Sequence, residues 1–173
     1  MNKSFLLTAL LAVFVTQTIM GQELKINETT KKYTVENEIS SETLVKDTLY
    51  KQTLKWLYKK FPETGDKGTY INASKNKIES NQFFMPEPED YRDLTNLRIG
   101  YVLTCKFEDR KFSYSFSDFY YFSSGDGKVS FDSRRFKHYD ILIRDKMLKD
   151  ADQYVKKLGT ELAAYLQKYK SKK

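Results

Sequence analysis

The stretch Cys105–Phe122, CKFEDRKFSYSFSDFYYF, limits what this chain can fold into more than any other part of it. It holds eight aromatic rings, one thiol and a row of serines, with Glu-Asp-Arg-Lys between its halves. Such alternation has the period of a strand, whose successive side chains point to opposite faces. Suppose residues 98–108 pair with 111–122 across an Asp109-Arg110 turn. Phe107 then meets Phe112, Cys105 meets Tyr114, Leu103 meets Phe116, and Ile99 meets Tyr120. On the other side, Lys106 meets Ser113, Thr104 meets Ser115, and Val102 meets Ser117. One face is apolar and the other wet, which fixes the register. The rings therefore read as core, not as a platform for a ligand. Past Ser117 the phase fails: Asp118 falls inward opposite Tyr101, while Phe119 and Tyr121 fall outward. Either a bulge near Asp118 shifts the phase, or the segment 123–144 covers the far end of the sheet on both faces. The turn is itself unfavourable, because two-residue hairpins prefer glycine where Arg110 stands.

Periodicity places the remaining elements around this hairpin. Residues 32–38 (KYTVENE) alternate and predict a strand. Residues 46–61 predict a helix with Asp47 as N-cap and a stripe of Leu49, Tyr50, Thr53, Leu54, Leu57 and Phe61, with Trp56 at its border. Residues 69–72 and 77–84 predict short strands, and 85–96, with two prolines and several acids, predicts a loop. Residues 145–169 predict a final helix whose apolar side carries Leu148, Val155, Leu158, Leu162, Tyr165, Leu166 and Tyr169. The order is β-α-β-β-β-β-α. This is an α+β fold with an antiparallel sheet and two helices packed on one face.

The N-terminus predicts where the chain goes. Lys3 precedes an apolar run, Phe5–Val15, and then a more polar exit to Gly21, the order of a secretory signal peptide. Cleavage is expected after Gly21, leaving residues 30–170 as a single domain, periplasmic or secreted. No later stretch is apolar enough for a membrane span. The only cysteine, Cys105, leaves no internal disulfide, so stability must come from packing. The formal net charge is +7, with 30 basic and 23 acidic residues; losing Lys3 lowers it to +6. Such a balance weakly favours polyanions.

Three segments carry a family resemblance: DTLYKQTLKWLYKKF, then TYINASKNKIESNQ, then YVLTCKFEDRKFSYSFSDFYY. Leu49-Tyr50 early in a helix, Trp56 near its end, a short hairpin, and an aromatic strand bearing Asp118 resemble an exported bacterial family of domains of unknown function with a TATA-binding-protein-like (TBP-like) fold. Arg110 departs from that pattern, which tends to have glycine there. The resemblance implies the same element order and brings no known catalytic residues.

Catalysis finds little to work with. His138 is the only histidine, so a two-imidazole site is excluded. Cys105 falls mid-strand on the core face, where a thiol is packing. SSGDGK at 123–128 reads as a turn, not a phosphate loop. Glu87, Glu89 and Asp90 read as solvated loop charge, leaving a carboxylate-dependent hydrolase as the third-ranked reading. No cofactor and no metal site is expected. For binding, Lys51, Lys55 and Lys59 repeat along one helix face and would suit phosphate, lipid A or another polyanion. A plain solvated face opposite the apolar stripe suits them better, because lysine is the commonest way to keep a helix soluble. Arg134, Arg135, Phe136, Lys137 and His138, followed by Tyr139, mix cations with rings in a segment expected to be irregular, a better candidate for stacking plus anion pairing. Nucleic acid is not expected, because the outer face of the sheet, read as Ser, Thr and Lys, lacks apolar wedges. The first-ranked reading is an interaction or structural module of the cell envelope with a protein or glycan partner; weak polyanion binding ranks second.

Overall fold

The computed structural model describes residues 24–40, 45–62, 69–74, 76–91 and 94–169. The expected signal peptide, residues 1–21, lies outside the described residues. In chain order the elements are β1 (Lys25–Ile26), β2 (Tyr33–Ser40), α1 (Lys46–Lys60), β3 (Tyr70–Ser74), β4 (Lys77–Phe84), a 3-10 turn (Pro88–Tyr91), β5 (Arg98–Glu108), β6 (Lys111–Ser123), β7 (Gly127–Ser130), α2 (Arg134–Lys137) and α3 (Ile141–Gln167). Among the described residues seven strands form an antiparallel sheet in the order β1-β2-β6-β5-β4-β3, with β7 also on β6.

The β5–β6 register follows the alternation as far as Ser117. Phe107 pairs with Phe112, Cys105 with Tyr114, Leu103 with Phe116, and Val102 with Ser117. The register then shifts between Gly100 and Val102, so that Gly100 pairs with Tyr120 and Ile99 with Tyr121. The expected Ile99–Tyr120 pair is therefore corrected. Asp118 is the bulged residue, with φ of 51°, a left-handed conformation that Asp tolerates better than most residues. The extra residue turns Asp118 outward and brings Phe119 and Tyr121 inward, where both are fully buried. Here too β6 changes neighbour, from β2 through Phe116 to β7 from Tyr120 onward. Lys32 pairs with Asp118, and the Tyr33 amide donates to Asp132 Oδ1 at 3.0 Å, stitching the start of β2 to the end of β7 across the bulge.

Both long helices lie on the face lined by these inward rings. From α1, Leu49, Thr53, Trp56 and Leu57 are buried, and Tyr50 meets Phe107 edge-on at 5.5 Å. Trp56 sits inside the packed face, not at its border, and packs edge-on to Phe61. The N-cap of α1 is Val45, with no side-chain hydrogen bond. Asp47 instead lies in the first turn, where its charge meets the positive end of the helix. Helix α3 begins four residues earlier than expected because Asp140 Oδ1 accepts from the Leu142 and Ile143 amides, at 2.9 and 3.1 Å. It buries Met147, Ala151, Val155, Leu158, Leu162, Ala163 and Leu166. Gly159 is small for a reason: a Cβ there would lie 2.9 Å from the Tyr114 ring, whose hydroxyl is fixed by Asn37 Nδ2 at 3.0 Å. Burial of each such Leu or Phe is worth about 1.5–3 kcal/mol over leaving it exposed. The core is thus one layer between sheet and helices.

Two expected loops hold structure. In the acidic segment the 3-10 turn buries Tyr91, whose hydroxyl donates to Asp150 Oδ2 at 2.8 Å. The segment after β6 supplies β7 and α2, and Phe131 stacks on Phe136 at 4.3 Å beneath Tyr121. Four residues of helix and four of strand are too short to announce themselves by periodicity.

Candidate functional site

With the helices on one face, no described element covers the other face of the sheet, and the bulge divides it into two zones. On the turn side of Asp118 the outward residues are Glu36 and Glu38 on β2, Ser113 and Ser115 on β6, and Thr104 and Lys106 on β5. They line a polar depression of about 390 Å³. Glu38 pairs with Lys111 at 2.8 Å, and on β4 Glu79 pairs with Lys77 at 2.8 Å.

Beyond Asp118 the outward residues are of another kind. The phase shift that turned Phe119 and Tyr121 inward puts Tyr120 and Phe122 outside, next to Phe83 and Arg98. Arg98 sits over two rings, its guanidinium carbon 5.2 Å from the Phe83 centroid and 4.8 Å from that of Phe122. Tyr120 lies across Gly100, where a Cβ would come within 2.0 Å of its ring. Lys128 Nζ stands 3.9 Å from the same ring centroid. These contacts correct the expectation of an outer face without apolar groups: unbroken alternation would put Tyr120 and Phe122 inward, and the bulge turns them out beside Phe83. A guanidinium held between rings keeps its in-plane N–H edge for other acceptors. Arg98 makes no ion pair among the described residues.

Asp118 forms the border between the zones. Burial works against its charge, but hydrogen bonds from Lys32 and Ser117 outweigh that and hold its carboxyl below the ordinary value. It is bound as an ion, with Lys32 as its partner.

The residues expected to bind are scattered by the structure. Phe136 is fully buried in the Phe131 stack and cannot reach a ligand. Arg135 is spent on Asp126, bonding its carboxylate and, at 3.1 Å, its carbonyl. Asp126 also accepts from Tyr121 Oη at 3.1 Å and Ser123 Oγ at 3.2 Å, which locks the β6–β7 turn. Arg134, Lys137 and His138 remain exposed. They lie on or beside a helical turn that Ser133 caps by accepting from the Phe136 amide at 3.2 Å, not on irregular chain. Lys51, Lys55 and Lys59 are exposed along α1, with no acidic partner among the described residues, while their neighbour Lys60 pairs with Glu161 of α3 at 2.6 Å. What the sequence reading missed was Arg98 with its two rings. The only signal was the run of four aromatic residues after Asp118, which cannot all face one way.

The groups considered for catalysis are not assembled. Burial pushes the Cys105 thiol up, away from the thiolate a nucleophile needs. His138 is exposed at the end of α2. Asp90 pairs with Lys146 at 2.9 Å, and Glu87 and Glu89 are exposed. Among the described residues no three His, Cys, Asp or Glu stand together in a way that could hold a metal ion, and no helix is long and apolar enough to cross a membrane.

Comparison with known proteins adds the fold and the family. A family model described as "Domain of unknown function (DUF4468) with TBP-like fold" matches residues 33–122. A crystal structure of a DUF4468 family protein from Bacteroides ovatus superposes with a TM-score of 0.63 at 11% identity, covering 86% of this chain and 94% of that one. A TBP-like protein from Parabacteroides distasonis gives 0.62 at 15% identity, covering 83% and 97%. No curated protein matches the chain.

Proposed function

The chain belongs to the family of domains of unknown function with a TBP-like fold, and from that premise we propose that it is an exported, non-catalytic interaction module of the bacterial cell envelope whose partner docks on the open face of the sheet. The observation that carries this reading is the Phe83–Arg98–Phe122 stack. Rings and a cation lie on the solvent side of a sheet whose other side already holds the core. Export rests on the N-terminal pattern of Lys3, the apolar run and the polar exit to Gly21. A non-catalytic role is supported by the buried thiol and the paired Asp90.

Two measurements test it. Mass spectrometry of the exported chain should find Gln22 at the N-terminus; an intact Met1 in the exported fraction would sink the localisation. Retention of the mature chain on washed envelope should drop when Phe83 and Phe122 are both changed to Ser. It should survive a Lys51, Lys55 and Lys59 to Gln change. The reverse pattern would favour weak polyanion binding along α1, a reading supported by the exposure of those three lysines.

A further inference from the structure

The two zones of the open face differ in charge, and the difference selects a ligand class. In the polar zone, carboxylates Glu36, Glu38 and Glu79 alternate with hydroxyls and lysines. This is not the unbroken cationic track that follows a polyphosphate backbone. Nor does the face offer a deep apolar pocket for the buried anchor of a protein hot spot. In the aromatic zone the acids stop, apart from Asp118, which Lys32 holds. The cations Arg98 and Lys128 remain, each set against a ring and neither in a direct ion pair among the described residues, with the charge of Lys128 felt by Asp118. A guanidinium held between two rings is fixed in orientation and offers its edge for a bidentate bond to one planar oxyanion. From Arg98 to Thr104, which pairs with Ser115, β5 runs roughly 20 Å, so the oxyanion site and the near end of the hydroxyl-lined depression fit along one extended molecule.

We propose that the open face binds an acidic oligosaccharide: a carboxylate-bearing sugar docks its carboxylate on Arg98, with Lys128 nearby, and neighbouring neutral sugars lie along Ser113, Ser115 and Thr104. Sparse charge at one end and hydroxyls along the rest match the charge pattern of the face. A densely charged polyanion would meet Glu36 and Glu38. The proposal rests on the interaction-module reading and names its ligand.

The test is a titration of the mature chain with sialyllactose, followed by NMR and set against lactose, heparin and oligo-dT. Sialyllactose should shift Arg98 and Phe122 resonances, and lactose should bind at least 10-fold more weakly, as loss of a charge-assisted bond implies. Arg98→Gln should lose about 10-fold or more, and Arg98→Lys should recover only part of it, because a point charge lacks the fork. Unchanged urea midpoints for both variants would assign the loss to binding. Equal affinity for lactose, or an unchanged Arg98→Gln, would overturn the proposal. So would heparin or oligo-dT binding more tightly through the α1 lysines. If sialyllactose fails while envelope retention still depends on Phe83 and Phe122, the ligand class is wrong and the docking face stands. If both fail, the interaction-module reading falls as well.

Discussion

Between Arg110 and Asp118 strand β6 alternates aromatic with serine; after Asp118 four aromatic residues, Phe119 to Phe122, follow one another. The first half puts every ring in the core and every serine outside. The second half divides its rings, with Phe119 and Tyr121 buried and Tyr120 and Phe122 outward. The two halves share a strand, a partner strand and a core, and they differ by one residue at φ 51°. A bulge therefore does more than relieve a mismatch. It lets one strand be a plain half-buried ladder at one end and, at the other, supply both core and a decorated surface.

The largest expected effect lies in the regular half. Phe116 is fully buried between Tyr101 and Tyr114, at 5.6 and 5.9 Å. Phe116→Ala should cost about 3–5 kcal/mol in urea unfolding, a large share of a typical domain's ~5–15 kcal/mol. A stable variant would mean that the ring is not core and would erase the contrast between the halves.

The border itself comes next. Asp118→Val, a branched residue forced to positive φ, should lose about 1–3 kcal/mol, while Asp118→Gly, which keeps the conformation and loses an exposed ion pair and the exposed hydrogen bond from Ser117, should stay within ~1 kcal/mol of wild type. Equal losses would show that side-chain bonds, not backbone conformation, set the border.

The hairpin turn gives a smaller effect of opposite sign. Arg110 has φ of 67°, so Arg110→Gly should raise stability by roughly 0.5–1 kcal/mol, relief of a left-handed residue being partly offset by the freer unfolded chain. A loss in thermal unfolding would contradict this. Smallest of all is Ser115→Ala on the outer face of the regular half, expected within ~0.5 kcal/mol; a larger change would show that its hydroxyl is structurally committed.

The same division explains what could be read from the chain. Strands and helices with many periods were legible: the turn-side register, α1 and α3 all follow from spacing. The bulge was legible only as a conflict, an acid inward and rings outward, with nothing to choose between its two explanations. Pairings across a turn left no pattern. Arg135 and Asp126 are nine residues apart, so a residue that looked available for ligand is tied to the fold. Arg98 was invisible for the converse reason. Its significance lies in two rings on neighbouring strands: Phe83, outward by the plain alternation of β4, and Phe122, turned outward only by a phase shift that composition does not encode.

The phase shift is tested most directly by comparing Phe119→Ala with Tyr120→Ala in urea unfolding. With the bulge at Asp118, Phe119 packs on Phe131 at 6.1 Å in the core, and Tyr120 lies half-buried on the outer face over Gly100. The account predicts that Phe119→Ala loses about 3–5 kcal/mol and Tyr120→Ala distinctly less. The reverse order, with Tyr120→Ala the more damaging, would mean that β6 runs in unbroken phase and that the aromatic zone of the open face does not exist.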